Sequence, residues 1–163
     1  MQPIFRVVVN HREERRVTTA DEADALCNEL AKLPVFTANA YSGPGIDPSL
    51  DMIVETGRAN VFYMDMEHQV KLVSRDEQCT ERGIVSLRND DYPDLELDQL
   101  ELQRRSLISP ERAIAIFRHY LKVGKPIDLV PWPAPDEAYW DGDLTPDAVP
   151  PLEETGLDQD IPF

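Results

Sequence analysis

Hydrophobic and polar positions follow two periods along this chain, and each change of period marks an element. The β-branched run "IFRVVVN" (Ile4–Asn10) has the composition and length of a strand, and the charged stretch "HREERR" (His11–Arg16) reads as a connection. From Thr19 the period lengthens. Ala23, Leu26, Cys27, Leu30 and Leu33 share one helical stripe, and Thr19 with Glu22 forms a capping box. This predicts a helix over Ala20–Leu33, closed by Pro34. Strand-like runs then follow at Val35–Tyr41, Leu50–Thr56, Asn60–Met66, Gln69–Arg75 and Gly83–Arg88. The links Gly57–Asn60 and Glu67–His68 are short enough for hairpins, so the neighbouring strands should be antiparallel, while "SGPGIDP" (Ser42–Pro48) is a turn-rich loop. Between Asn89 and Ser106, Leu95, Leu97, Leu100 and Leu102 alternate with Glu96, Asp98, Glu101 and Gln103, which predicts one short strand.

A second helix has clear limits. Ser109 is an N-cap residue type, Pro110 suits the first helical position, Glu111 favours the positive dipole end, and Gly124 suits the position after the last turn. Ala113, Ile114, Ile116, Phe117, Tyr120 and Leu121 supply its apolar face. "PIDLVPW" (Pro126–Trp132) reads as a final strand. The expected fold class is α+β: a mainly antiparallel sheet of about six strands packed with two amphipathic helices. Residues 1–132 form one domain, and residues 133–163 form an acidic, proline-rich extension that is either a solubilising tail or a docking segment.

Charge narrows the range of partners. With 31 acidic and 16 basic residues the chain carries −15, so it repels phosphate backbones and anionic lipid surfaces, and neither nucleic acid nor membrane is expected as a direct ligand. Lys125 is the last basic residue, and residues 133–163 hold nine of the net negative charges. No apolar run approaches the roughly 20 residues of a membrane span and no signal peptide is visible, so the expected compartment is the cytoplasm. There Cys27 and Cys79 read as free thiols, Cys27 as a small core hydrophobe.

The candidate chemistry centres on "NVFYMDMEHQV", which gathers Asp65, Glu67 and His68. Strand alternation turns Val61, Tyr63 and Asp65 to one face and Phe62, Met64 and Met66 to the other, leaving Glu67 and His68 in a turn. The chain has no HExxH, CxxC or His pair at i, i+4, no GxSxG elbow and no glycine-rich phosphate loop. The three polar residues therefore read as a strand end or binding rim, and neither catalysis, a metal nor a cofactor is expected. His119 reads as structural beside the apolar face of its helix, and His11 as solvated.

Three segments carry a family resemblance: "DEADALCNELAKLPVFTANAY", "ANVFYMDMEHQVKLVSR" and "SLISPERAIAIFRHYLKVGKPIDLVPW". In their order, with Gly57, Val61, Tyr63, Met64, Val73 and Ser74 of the second, they resemble immunity-protein family one of the bacterial polymorphic toxin systems. The similarity is to members that neutralise secreted toxins deaminating DNA cytosine, and it covers about Thr18–Trp132. The segment before the first helix and the tail from Pro133 fall outside the family pattern.

The resemblance implies a protein of interbacterial competition that binds a cognate toxin domain, a zinc-dependent DNA cytosine deaminase. A nucleic-acid deaminase needs a basic groove, which an acidic inhibitor can occupy by complementary charge. Candidate contacts form two groups. Asp65, Glu67, Asp90, Asp91, Tyr92, Asp94 and Glu96 lie along an acidic sheet edge, and Trp132, Tyr139 and Trp140 are aromatic anchors flanked by Asp141 and Asp143. Two alternatives stay open: an acidic adaptor unrelated to toxins, and a small metal-dependent hydrolase built on Asp65, Glu67 and His68.

Overall fold

The computed structural model describes residues 3–79, 84–88 and 99–132. In chain order the strands are β1 (Phe5–Val9), β2 (Glu13–Val17), β3 (Val35–Tyr41), β4 (Ser49–Glu55), β5 (Arg58–Asp65), β6 (Val70–Ser74), β7 (Ile84–Arg88), β8 (Gln99–Gln103) and β9 (Leu129–Pro131). The helices are α1 (Ala20–Leu30) and α2 (Pro110–Val123). Seven strands pair antiparallel in the order β2-β1-β3-β4-β5-β6-β9, and β7 pairs with β8 in a separate antiparallel hairpin. The fold is α+β.

The seven-stranded sheet exceeds the expected six because the charged connection conceals a strand. Glu13–Val17 pairs with β1 from Phe5↔Val17 to Val9↔Glu13. The reversal between them places Asn10 and His11 at positive φ, 54° and 60°. Asn10 then ties the turn to β3, since its Oδ1 accepts from Thr37 N–H at 3.0 Å and its own N–H donates to Thr37 O at 2.9 Å.

Both helices begin where the sequence places them. Thr19 accepts from Glu22 N–H and the Glu22 side chain returns to the cap backbone, completing the box at α1, while Ser109 caps α2 by accepting from Arg112 N–H. Helix α1 ends at Leu30 and not at Leu33. Residues 31–33 tighten through bonds such as Lys32 N–H to Glu29 O, because the residue before Pro34 is pushed out of helical geometry. Leu33 thereby leaves the apolar stripe and is exposed. At the end of α2, Gly124 takes φ +87°, and its N–H returns to Tyr120 O.

The main core lies between one sheet face and the two helices. Phe5, Val7, Phe36, Ala38, Leu50, Met52, Val54 and Val61 from the sheet meet Leu26, Cys27 and Leu30 of α1 and Ile116, Phe117 and Tyr120 of α2. Each large apolar side chain withdrawn from water here contributes roughly 2 kcal/mol. Burial pushes the Cys27 thiol up to about 11, so it packs as a neutral hydrophobe. Cys79 is also a free thiol. Because Leu50, Met52 and Val54 face the helices, Ser49, Asp51 and Ile53 project from the opposite face. Hairpin β7–β8 lies against β4, and its Leu87 is fully buried outside the main core.

Candidate functional site

Below the tip of the β5–β6 hairpin, the second sheet face forms an open cleft of about 350 Å³ lined by Asn39, Tyr41, Ile46, Asp47, Ser49, Asp51, Met64 and Met66. Strand register explains its floor. Asn39 of β3 stands opposite Asp51 of β4, and Ser49 stands opposite Met64 of β5, so three neighbouring strands deliver these side chains to one patch. The walls come from irregular segments. Ile46, 76% exposed, rises from the loop before β4, and Met66, 55% exposed, from the turn after β5.

Both ends of the Ser42–Pro48 loop are fastened. Arg6 of β1 lies over the Tyr41 ring, 5.1 Å from its centroid, and donates to the Gly45 carbonyl. Asp47 accepts from the backbone N–H of Met66 at 2.7 Å and of Glu67 at 3.3 Å. The wall carrying Ile46 is thereby held against the turn carrying Met66.

Asp51 occupies the floor and is only 8% exposed. Asn39 Nδ2 donates to Oδ1, and Ser49 Oγ donates to Oδ2 at 3.1 Å. Burial pushes its carboxyl above the usual aspartate range; hydrogen bonds from Asn39 and Ser49 and the nearby charge of His11 offset part of that rise. His11 itself is exposed in the β1–β2 turn.

The Asp65, Glu67 and His68 group sits at the β5–β6 tip outside the cleft lining, with Asp65 on the face of Tyr63, which packs on Tyr120 of α2. Asp65 Oδ1 accepts from His68 N–H at 3.1 Å, and Oδ2 meets His68 Nδ1 at 2.9 Å, so the carboxylate closes the β5–β6 turn. That pairing, led by the hydrogen bond between the side chains, holds the Asp65 carboxyl below its ordinary range and raises His68 above its own. Tyr63 also bonds Asp65, as expected for residues on one face. Glu67 is exposed beside them. Among the described residues, no group of three or more His, Cys, Asp or Glu side chains is placed to hold a metal ion.

Trp132, the remaining candidate within the described residues, packs edge-on against Phe62, with ring centroids 5.4 Å apart and planes at 69°. Its backbone N–H donates to Lys71 O at 2.9 Å. Phe62 is the register partner of Asp51, so Trp132 belongs to the same sheet face as the cleft, nearer the β9 edge. Asp90, Asp91, Tyr92, Asp94, Glu96, Tyr139, Trp140, Asp141 and Asp143 lie outside the described residues. His119 is partly exposed on α2, in a shallow groove of about 360 Å³ shared with Glu111, Ile114, Ala115, Arg118 and Lys122. Arg118 and Lys122 both reach Asp24 of α1, at 3.1 and 2.8 Å.

Asp51 is the site residue that sequence reading missed. A lone acid within the strand run "LDMIVET" was its signal: alternation sets it opposite Leu50 and Met52, on the face away from the helices.

No protein-family model matches the chain, and no curated protein matches it in sequence. Among the described residues, no helix is long and apolar enough to cross a membrane.

Proposed function

We propose that this chain is an immunity protein that binds a cognate bacterial toxin, a zinc-dependent cytosine deaminase acting on nucleic acid, and neutralises it by covering the active site or substrate groove. It acts by binding, without turnover or a cofactor of its own, in the cytoplasm of the cell it protects. The observation that carries this reading is the net charge of −15. A toxin that holds a polyanionic substrate presents a basic groove, and an acidic protein competes for that groove and is steered toward it. The three segments that carry the family resemblance add support, since they comprise α1–β3, β5–β6 and α2–β9. A preformed cleft with exposed apolar walls beside an acidic turn is also suited to engaging a protein surface.

The test looks for a deaminase toxin domain encoded in a reading frame beside this chain's own, whose absence would itself count against the proposal, and uses that domain. Purified full-length chain, added at equal molarity, is expected to abolish deamination of a cytosine-containing oligonucleotide and to co-elute with the toxin. Undiminished deamination at a tenfold excess of the chain, with no complex on size exclusion, would overturn the proposal.

A further inference from the structure

We infer that the cleft over Asp51 receives one cationic side chain, lysine or arginine, presented by a protein partner. For the partner's identity this rests on the toxin-binding reading; the chemistry of the occupant comes from the cleft itself.

Floor and walls ask for different parts of one side chain. On the floor, Asp51 has two hydrogen bonds, both from neutral groups, one to each carboxylate oxygen. Each oxygen keeps a further acceptor direction. Among the described residues, no lysine or arginine lines the cleft, and Arg6 beside it is engaged by the Tyr41 ring and the carbonyls of Pro44 and Gly45. Ile46 and Met66 form the exposed apolar walls, and Tyr41 and Met64 add apolar surface beside them. A lysine or arginine combines an aliphatic stem for such walls with a charged head for such a floor. An acidic residue would meet Asp47 and Asp51, and a purely apolar one would leave the remaining acceptor directions of the Asp51 carboxylate unused.

Full-length ¹⁵N-labelled chain titrated with Nα-acetyl-lysine amide and Nα-acetyl-arginine amide tests this, with Nα-acetyl-norleucine amide as the neutral control. The cationic probes are expected to shift the amides of Ser49, Asp51, Met64 and Met66 saturably, and the control to bind at least about tenfold more weakly, as loss of a charge-assisted hydrogen bond implies. Asp51→Asn, which keeps the shape of the side chain, should weaken the cationic probes roughly tenfold while leaving the remaining amide spectrum in place. Ile46→Ala, at an exposed position, should weaken them about threefold through lost stem contact.

Probe binding that is absent, equal for norleucine, or unchanged by Asp51→Asn would overturn the inference. Shifts that appear only once Tyr139 and Trp140 are replaced by Ala would assign the cleft to the chain's own C-terminal segment. Cleft shifts driven by protein concentration alone would assign it to a second copy. Either result also overturns the inference. The titration contains no toxin, so its failure leaves the neutralisation assay standing, and failure of that assay leaves the titration standing.

Discussion

Asp51 is an acid held where ionisation is costly, and that cost has a measurable sign. Its folded-state pKa lies above the ordinary aspartate value, so its stabilising contribution is complete below about pH 4 and is lost as pH rises through the folded value. At neutral pH the buried carboxylate is a net cost, reduced by the hydrogen bonds from Asn39 and Ser49. Asp51→Asn removes the charge and keeps the volume. The variant is expected to melt a few degrees higher at pH 7, for a gain on the order of 1 kcal/mol, and to show no gain at pH 4. Calorimetry at the two pH values checks this; a lower midpoint at pH 7 would show that Asn39 and Ser49 stabilise the ionised form more than burial penalises it. A residue that costs stability in place invites a functional explanation, which the cleft supplies. Alternation along β4 held the signal for the face of Asp51, although the sequence reading did not single that residue out. Alternation could not show that the loop from Ser42 to Pro48 folds back to make a wall, because that depends on Arg6 and Asp47 reaching partners 38 to 39 and 19 to 20 residues away.

Local signals carried most of the elements, and the failures share a cause. The capping residues Thr19 and Ser109 and the terminal Gly124 were legible because each acts within four residues of its own position. Strand β2 was not, because an edge strand needs no apolar alternation: only Val17 of its five residues is buried, and its glutamates and arginines blunt the open edge. Pairing with β1, and not its own pattern, makes it a strand. The path between β8 and α2 depends on a distant contact in the same way. Ser74 Oγ, fully buried at the end of β6, donates to Ser106 O at 2.7 Å and accepts from Val61 N–H and Asn60 Nδ2, each at 3.1 Å. Asn60 Nδ2 also donates to Ser106 O at 3.1 Å, and Ile108 exchanges backbone bonds with Ala59. This hydroxyl locks the approach to α2 onto the sheet. Ser74→Ala is expected to cost about 2 kcal/mol, since it leaves a buried backbone donor and a carbonyl short of a partner. Urea denaturation with an unchanged m-value would measure that loss, and a cost under about 0.5 kcal/mol would mean that Asn60 alone carries the junction.

At the scale of the whole molecule, charge is the property that the elements do not explain. The core, the caps and the cleft would all form at neutral net charge, yet the chain carries −15, nine of those charges beyond Trp132. Such an excess stabilises no fold and strains a compact one slightly, while it raises the rate of encounter with a basic surface. If binding to a basic toxin groove is its use, association should be the salt-sensitive step. Raising ionic strength from about 0.05 to 0.5 M shortens the screening length from roughly 14 to 4 Å, so association is expected to slow about tenfold or more. Dissociation should change less, because apolar contact at Ile46 and Met66 and a lysine or arginine seated on Asp51 are shielded from the ions once formed. Replacing Asp136, Asp147, Asp158 and Asp160 by Asn should flatten the salt slope of association without altering dissociation, whereas Asp51→Asn should speed dissociation and leave that slope in place. Stopped-flow association and dissociation rates for the two variants separate the long-range field from the local contact; an association rate indifferent to salt would remove charge as the reason this protein finds its partner.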